Sequence, residues 1–217
     1  MSVINFVEQG FSIEQWGPIL SPLASVADAA RTCYRSGNRQ EWKEQPGSKV
    51  RDDRELVKRL IARGHEAMLE HSYLSVRFWC DRAVANEIVR HRLFSYAQES
   101  TRYVNYKSKG FEFVLPVGLT GAQDTIVRIA CRRAAEEYEA LVGDGASPQV
   151  ARAVLPLCTA TEIVVSGNFR EWRHFLKLRT APDAHPQMRA LVIPLLERLQ
   201  AMVPVVFDDI DPDGGAA

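Results

Sequence analysis

Lysine is scarce in this chain of 217 residues. It occurs only at positions 43, 49, 58, 107, 109 and 177, and the other 21 of 27 cationic residues are arginine. The 27 acidic residues cancel them, so the formal charge is zero. A chain without a basic excess is poorly matched to a nucleic-acid backbone, so no nucleic-acid partner is expected. No apolar run reaches membrane-spanning length, and the opening stretch turns polar within a few residues. Neither a membrane span nor a secretory leader is therefore expected, and the protein reads as cytoplasmic. Four cysteines, at 33, 80, 131 and 158, show no metal-type or redox spacing. Each lies in apolar sequence, which predicts buried free thiols. Cys158, in Leu155-Pro156-Leu157-Cys158-Thr159-Ala160, has no nearby basic residue to lower its pKa and reads as structural, not as a nucleophile. A Gly-rich phosphate loop is missing too: Gly143-Asp144-Gly145 neither follows a strand nor opens the expected helix, so a Rossmann nicotinamide site is unsupported. There are no internal repeats.

With 46% apolar and 25% charged residues the composition is that of an ordinary globular protein. The length suits one large domain, and no linker divides it. Strands are expected over Ser2–Val7, Ser72–Cys80 and Phe111–Leu115, the second from strict alternation of Leu74, Val76, Phe78 and Cys80 with more polar positions. Helices are expected over Leu23–Ser36, Asp52–Arg63, Arg82–Val89, Thr125–Leu141, Pro148–Val154 and Pro186–Met202. Thr161–Ser166 reads either as a buried strand or as the start of a helix running to Leu178. Residues 37–51 are polar and read as a mobile loop. The acidic, Gly-rich stretch Asp208–Ala217 reads as a disordered tail. The alternation is not regular βαβ, so the fold class is α+β, or mixed α/β.

One stretch is the most informative in the chain. Arg90-His91-Arg92-Leu93-Phe94-Ser95-Tyr96-Ala97-Gln98-Glu99-Ser100-Thr101-Arg102 holds three arginines, one histidine and two serines where a helix gives way to a loop. The run reads as too polar for core. Guanidinium groups are permanently charged planar forks that grip phosphate or carboxylate at two points. Serine hydroxyls and freed backbone N–H groups add neutral donors. The chemistry fits an anion-binding loop for a phosphorylated ligand, or else an Arg-rich helix end paired with acidic neighbours. Arg152 stands alone in an apolar helix pattern and needs an anionic partner there, either a carboxylate or a ligand phosphate. Arg170 and His174 are four apart and share a helix face, with Arg179 near that helix's C-terminal end. His65 follows a helix-ending glycine, where the helix dipole alone could account for it. His65, Glu70 and His71 lack metal-site spacing, and no metal is expected.

The spacing Arg90-His91-Arg92, seven residues, Ser100, one residue, Arg102 resembles the RHRx7SxR signature of the flavin-dependent thymidylate synthases (ThyX). Further segments are similar to that family's: Gly64-His65-Glu66 with Glu70-His71, Ala151-Arg152-Ala153-Val154-Leu155-Pro156, and Gly167-Asn168 through Arg170, Trp172, His174-Phe175 and Leu178-Arg179. The match covers roughly residues 20 to 208. It implies the family's fold, a central sheet flanked by helices, assembled as a homotetramer with shared active sites. It further implies FAD-dependent reductive C5-methylation of a uridine monophosphate, with methylenetetrahydrofolate as one-carbon donor and NADPH as reductant. By this resemblance Arg179 polarises the uracil ring, and Ser100 and His65 join it at the catalytic centre. Arg90, His91, Arg92, Gln98, Asn168, Arg170 and His174 bind cofactor. Glu87, Arg90, Gln98, Glu99, Ser100, Arg102, Arg152 and Arg179 bind nucleotide.

The chain departs from the family after Arg179. Thr180-Ala181-Pro182-Asp183-Ala184-His185-Pro186-Gln187-Met188-Arg189 carries a longer spacer and two prolines, so this loop should be reshaped beside the pyrimidine or ribose pocket. A branch of the family methylates UMP or dUMP in polyoxin-type nucleoside-antibiotic biosynthesis. Either nucleotide therefore stays open as substrate, as does a flavin- or nucleotide-binding regulatory protein whose chemistry is lost.

Overall fold

The computed structural model describes residues 2–16, 22–34 and 50–213. The loop expected over 37–51 lies outside them except for its last two residues, which open a helix, and 214–217 lie outside as well. The elements run β1 (Ile4–Val7), β2 (Gly10–Trp16), α1 (Pro22–Tyr34), α2 (Val50–Ala62), a 3₁₀ turn (Glu66–His71), β3 (Tyr73–Asp81), α3 (Arg82–Ile88), β4 (Ser95–Gln98), α4 (Tyr106–Lys109), β5 (Phe111–Val114), α5 (Gly121–Gly143), α6 (Pro148–Ala151), a second 3₁₀ turn (Arg152–Val154), β6 (Ala160–Asn168), α7 (Phe169–Arg179) and α8 (Pro186–Met202). Four strands pair in the order β2-β3-β6-β4, and β1 pairs with β5. The architecture is mixed α/β, as the sequence predicts. Strands β2 and β4 were not expected, because polar and apolar residues are evenly mixed in each.

The chain forms two compact units, each built from discontinuous segments. The first takes residues 2–12, 77–91 and 96–164. Within it β1 and β5 run parallel, with Ile4 opposite Phe111 and Val7 opposite Val114. Helix α5 starts where Thr120 and Gln123 form a reciprocal capping box, which satisfies two of the first-turn N–H groups. Its Cys131, Ala135 and Tyr138 recur at helical spacing. They bury against Phe111, Phe113, Tyr106 and Ala151 as one apolar cluster. Burying each large side chain contributes about 1.5–3 kcal/mol.

The second unit takes the described residues of 13–76, together with 92–95 and 165–213. Helix α1 buries Leu23, Val26, Ala27 and Ala30, and α2 buries Val57 and Leu60. Helix α7 buries Phe169, Trp172, Phe175 and Leu176, and α8 buries Met188, Leu191, Val192, Leu195 and Leu199. The ambiguous stretch at 161–166 resolves as strand, because β-branched Ile163, Val164 and Val165 favour it. Asn168 then ends β6 and starts α7, its side-chain oxygen accepting from the Glu171 N–H at 2.9 Å. The acidic stretch after Phe207 does not come loose at Asp208. Ile210 is buried and Asp209 bonds to Arg173, so 208–213 pack against the unit.

Candidate functional site

The Arg/Ser stretch is two turns joined by β4, with 90–91 and 96–102 in the first unit and 92–95 in the second. Asp81 caps α3 by accepting from the Val84 N–H at 2.7 Å, which places Glu87 and Arg90 at the helix's far end. His91 is buried, and its backbone carbonyl accepts the Tyr96 hydroxyl, which also reaches the Ile88 carbonyl at 2.9 Å. Thr101 is buried as well. The expectation that this run is too polar for core is thus corrected at His91 and Thr101, both of which are buried. Gln98 Nε2 points to Thr161 Oγ1 at 3.4 Å, and the Glu99 N–H donates to the Glu162 carbonyl at 2.9 Å. Ser100 Oγ accepts from the Arg102 N–H at 3.3 Å, closing a tight polar turn.

Arg152 is drawn to that turn. It does not lie in an apolar helix as the sequence suggested. It opens the 3₁₀ turn after α6, exposed, with Nη1 donating to Thr101 Oγ1 at 3.1 Å. A guanidinium thus sits beside Ser100 and Arg102, some fifty residues away in the chain. Support comes from Arg82 and Tyr106, which the motif reading passed over. The Tyr106 hydroxyl donates to Glu99 Oε1 at 3.2 Å, and Arg82 Nη2 approaches the Glu99 carbonyl at 3.4 Å. Burial, reinforced by the Glu99 carboxylate, pushes the Tyr106 phenol up to about 12, so it stays a proton donor to Glu99.

Several arginines are paired with carboxylates, while others, Arg132 and Arg133 on α5 among them, are not. Arg77 pairs with Glu162, Arg128 with Asp124 and Arg31 with Asp53. Among the described residues Arg90, Arg102 and Arg152 have no carboxylate partner; Arg102 instead lies 5.5 Å over the Tyr103 ring. Exposed guanidinium groups without carboxylates are matched to an incoming anion. The same unit holds a cavity of about 350 Å³ lined by Glu8, Glu99, Glu112 and Glu162 beside Trp79. Its four carboxylates make that cavity a poor match for an anion.

The second unit gathers the other group. Gly64 ends α2 at φ +70°, a left-handed backbone that favours glycine, and His65 follows, exposed, at the head of the first 3₁₀ turn. On α7, Arg170 and His174 are exposed on one face, and Arg179 is half-buried in the last turn. Arg170 Nη1 meets Glu70 Oε1 at 2.7 Å, which joins the Gly64–His71 segment to the Gly167–Arg179 segment. That pair is exposed and therefore weak enough to yield to a ligand. Asn168 spends its side-chain oxygen on the helix cap, so its side chain serves first to start α7. Arg92 is exposed and has no carboxylate partner among the described residues.

Gly167 has a packing reason as well. An added Cβ would lie 2.1 Å from the Phe94 ring, which sits 4.7 Å from Trp172 and 5.8 Å from Phe175. The stretch after Arg179 is held by hydrogen bonds. Pro186 opens α8 at its first turn, and Arg189 donates to the carbonyls of Thr180 and Pro212. Arg173, unweighed in the sequence, is fully buried and bonds Glu66, Asp209 and the Val206 carbonyl. Its only signal was a third cation between Trp172 and His174, indistinguishable there from a surface arginine.

The cysteines also differ from expectation. Cys80 and Cys131 are buried and Cys158 half-buried, but Cys33 is exposed. Burial pushes the Cys80 thiol up to about 12, which keeps it protonated.

A family profile described as thymidylate synthase complementing protein matches residues 19–205. The flavin-dependent thymidylate synthase of Geobacter sulfurreducens is 36% identical over 194 residues, covering 88% of this chain and 83% of that protein. That of Mycolicibacterium gilvum is 37% identical over 209 residues, covering 87% and 79%. The crystal structure of the UMP/dUMP methylase PolB from Streptomyces cacaoi, bound with 5-Br dUMP, shares the fold, with a TM-score of 0.78, 23% identity and 95% of each chain covered. With the Arg90–Arg102 signature folded into a pinned cationic turn and the profile spanning nearly the whole chain, this protein belongs to the thymidylate synthase complementing protein family, the flavin-dependent thymidylate synthases.

Proposed function

We propose that this chain is a flavin-dependent pyrimidine-nucleotide methyltransferase that methylates C5 of a uridine monophosphate, dUMP or UMP. Methylenetetrahydrofolate is the one-carbon donor, FAD the cofactor and NADPH the reductant. The observation that carries the reading is the Arg152–Thr101 contact, which brings a carboxylate-free guanidinium to the Ser100–Arg102 turn. Such a donor set fits a phosphate monoester: planar forks for two oxygens, with hydroxyl and backbone donors for the third.

FAD supplies the redox chemistry when bound, and the protein supplies position and field. Its pyrophosphate is an anion, and exposed Arg90, Arg92 and Arg170 with His174 are the chain's cations suited to it. Gln98 and Asn168 add neutral contacts, and His91 braces the loop from its buried position. Arg90, Ser100, Arg102 and Arg152 hold the nucleotide, with Glu87 and Glu99 fixing its orientation. Arg179 stabilises negative charge developing on the pyrimidine ring, and His65 and Ser100 are the other catalytic residues of the proposal. NADPH docks transiently, since the chain carries no Gly-rich dinucleotide loop. Four subunits with shared active sites, working in the cytoplasm, complete the proposal, and light scattering on the purified protein reads the tetramer directly.

The purified protein should be yellow, with a flavin band that bleaches on adding NADPH or dithionite. Methyl transfer is then measured with dUMP and with UMP under saturating folate and reductant. A colourless protein that takes up no FAD would overturn the proposal. The stiff 180–189 segment pinned by Arg189 is the feature that keeps UMP in contention.

A further inference from the structure

Two thiols that sequence spacing sets far apart meet in the first unit. Cys131 Sγ and Cys158 Sγ stand 3.4 Å apart. A disulfide needs about 2.05 Å, so closure takes a side-chain adjustment of little more than an ångström. The backbones on both sides are already fixed. Cys131 lies within α5, buried in the Phe111–Tyr138 cluster. Cys158 sits in the turn before β6, where its carbonyl accepts the Val114 N–H at 2.9 Å and Thr159 Oγ1 donates to the Pro156 carbonyl at 2.7 Å. Among the described residues no three His, Cys, Asp or Glu side chains group to hold a metal; the charged groups acting on the thiols are Asp81 at Cys158 and Arg128 at Cys131.

We propose that Cys131 and Cys158 form a reversible dithiol–disulfide modification site, oxidised by a peroxide and reduced by a dithiol. The two thiols divide the work. Cys158 is half-buried and reachable, whereas Cys131 is almost wholly enclosed. The hydrogen bond between them, outweighing burial, holds the Cys158 thiol below its usual range; the same bond, with burial, pushes Cys131 up. Its greater accessibility makes Cys158 the attacking thiol and Cys131 the resolving thiol.

In the first step the Cys158 sulfur bonds to one peroxide oxygen and the O–O bond breaks. The departing hydroxide takes up a proton to leave as water, and Cys158 becomes a sulfenic acid. In the second step the Cys131 sulfur attacks the Cys158 sulfur and the S–O bond breaks. The leaving hydroxide takes the Cys131 proton to give a second water. Two thiols lose two electrons in all, and one hydrogen peroxide becomes two waters.

The bond would close a loop over a separation of 27 residues. That loop carries Arg152, the guanidinium that meets Thr101. Oxidation therefore tethers the segment presenting this cation, independently of whether the nucleotide assignment is correct.

The test uses the full-length protein. It is treated with hydrogen peroxide, alkylated, digested without reduction and mapped by mass spectrometry. A linked Cys131–Cys158 peptide that dithiothreitol reverses is expected, in the wild type and equally in Cys33→Ala. In Cys131→Ala, a sulfenic acid at Cys158 should be trapped by dimedone; in Cys158→Ala, the linkage should be lost. The proposal is overturned if peroxide consumes the exposed Cys33 while Cys131 and Cys158 both remain alkylatable. It is also overturned if oxidation links chains through Cys33 instead. The wild-type map decides the matter even where a variant fails to fold.

Discussion

Arg152 Nη1 donates to the buried hydroxyl of Thr101 at 3.1 Å. This bond holds an exposed cation at the Ser100–Arg102 turn. Thr101 is one of the unspecified positions in the motif, yet it sets where the neighbouring arginine stands.

Arg152→Ala should raise the nucleotide KM by roughly 10- to 100-fold with kcat little changed. A phosphate clamp acts on ground and transition states alike, and a charge-assisted hydrogen bond is worth about 1.5–3 kcal/mol. Thr101→Val should raise KM less, because the guanidinium stays but loses its anchor. Steady-state kinetics with varied nucleotide reads both. A fall in kcat at constant KM would remove Arg152 from the clamp.

Arg179→Ala and Cys158→Ala should separate cleanly. Losing a preorganised charged donor typically costs roughly 10²–10³ in rate. Arg179→Ala should therefore lose methyl transfer while keeping its flavin absorption band. Cys158→Ala should retain substantial activity, since no cysteine adduct is part of the mechanism. If Cys158→Ala is dead and Arg179→Ala is active, the thiol must be reconsidered as a nucleophile.

Acid should loosen the second unit at Asp209. Burial pushes its carboxyl up, but the hydrogen bond and charge of Arg173 outweigh that and hold it below the usual carboxylate range. A depressed folded pKa contributes stability that is fully present above the unfolded value, about 3.9, and is lost as pH falls through the folded value. The Tm gap between wild type and Asp209→Asn should thus be widest near neutrality and narrow below about pH 4. Arg173→Ala should cost on the order of 2–4 kcal/mol at neutral pH, because it leaves Glu66 and Asp209 without their shared cation and opens a cavity. Calorimetry across pH measures both effects.

Gly167→Ala should cost about 1–3 kcal/mol of stability, since a Cβ would drive into the Phe94 ring held against Trp172 and Phe175. The companion change Phe94→Leu, made in the same background, should recover part of the loss. Urea denaturation of the pair tests this, and identical loss with and without the companion would show that the clash is not at Phe94.

Much of the chain was readable before any coordinates. The alternation of Leu74, Val76, Phe78 and Cys80 placed β3, and Pro186 marked the first turn of α8. Local backbone preference and one-sided burial act within a few residues, so they leave a periodic trace. The Arg90–Arg102 spacing also pointed to an anion loop and a family, because that chemistry needs several charged groups in one short segment. Short polar strands such as β4 left no such trace, since pairing with a neighbour decides them.

Pairing across distance is where sequence stops. Nothing local distinguishes Arg173, which is buried on two carboxylates, from Arg152, which is exposed on a threonine hydroxyl. Cys131 and Cys158 look like isolated apolar thiols until α5 packs beneath the turn that carries Cys158. In each case the partner lies dozens of residues away, and its identity follows from how the elements pack. Residue type and spacing determined the chemistry this protein can offer. Which cations are left without a carboxylate, and which thiols touch, was decided only by tertiary structure, because charge neutralisation and van der Waals contact act over a few ångströms of space whatever the separation along the chain.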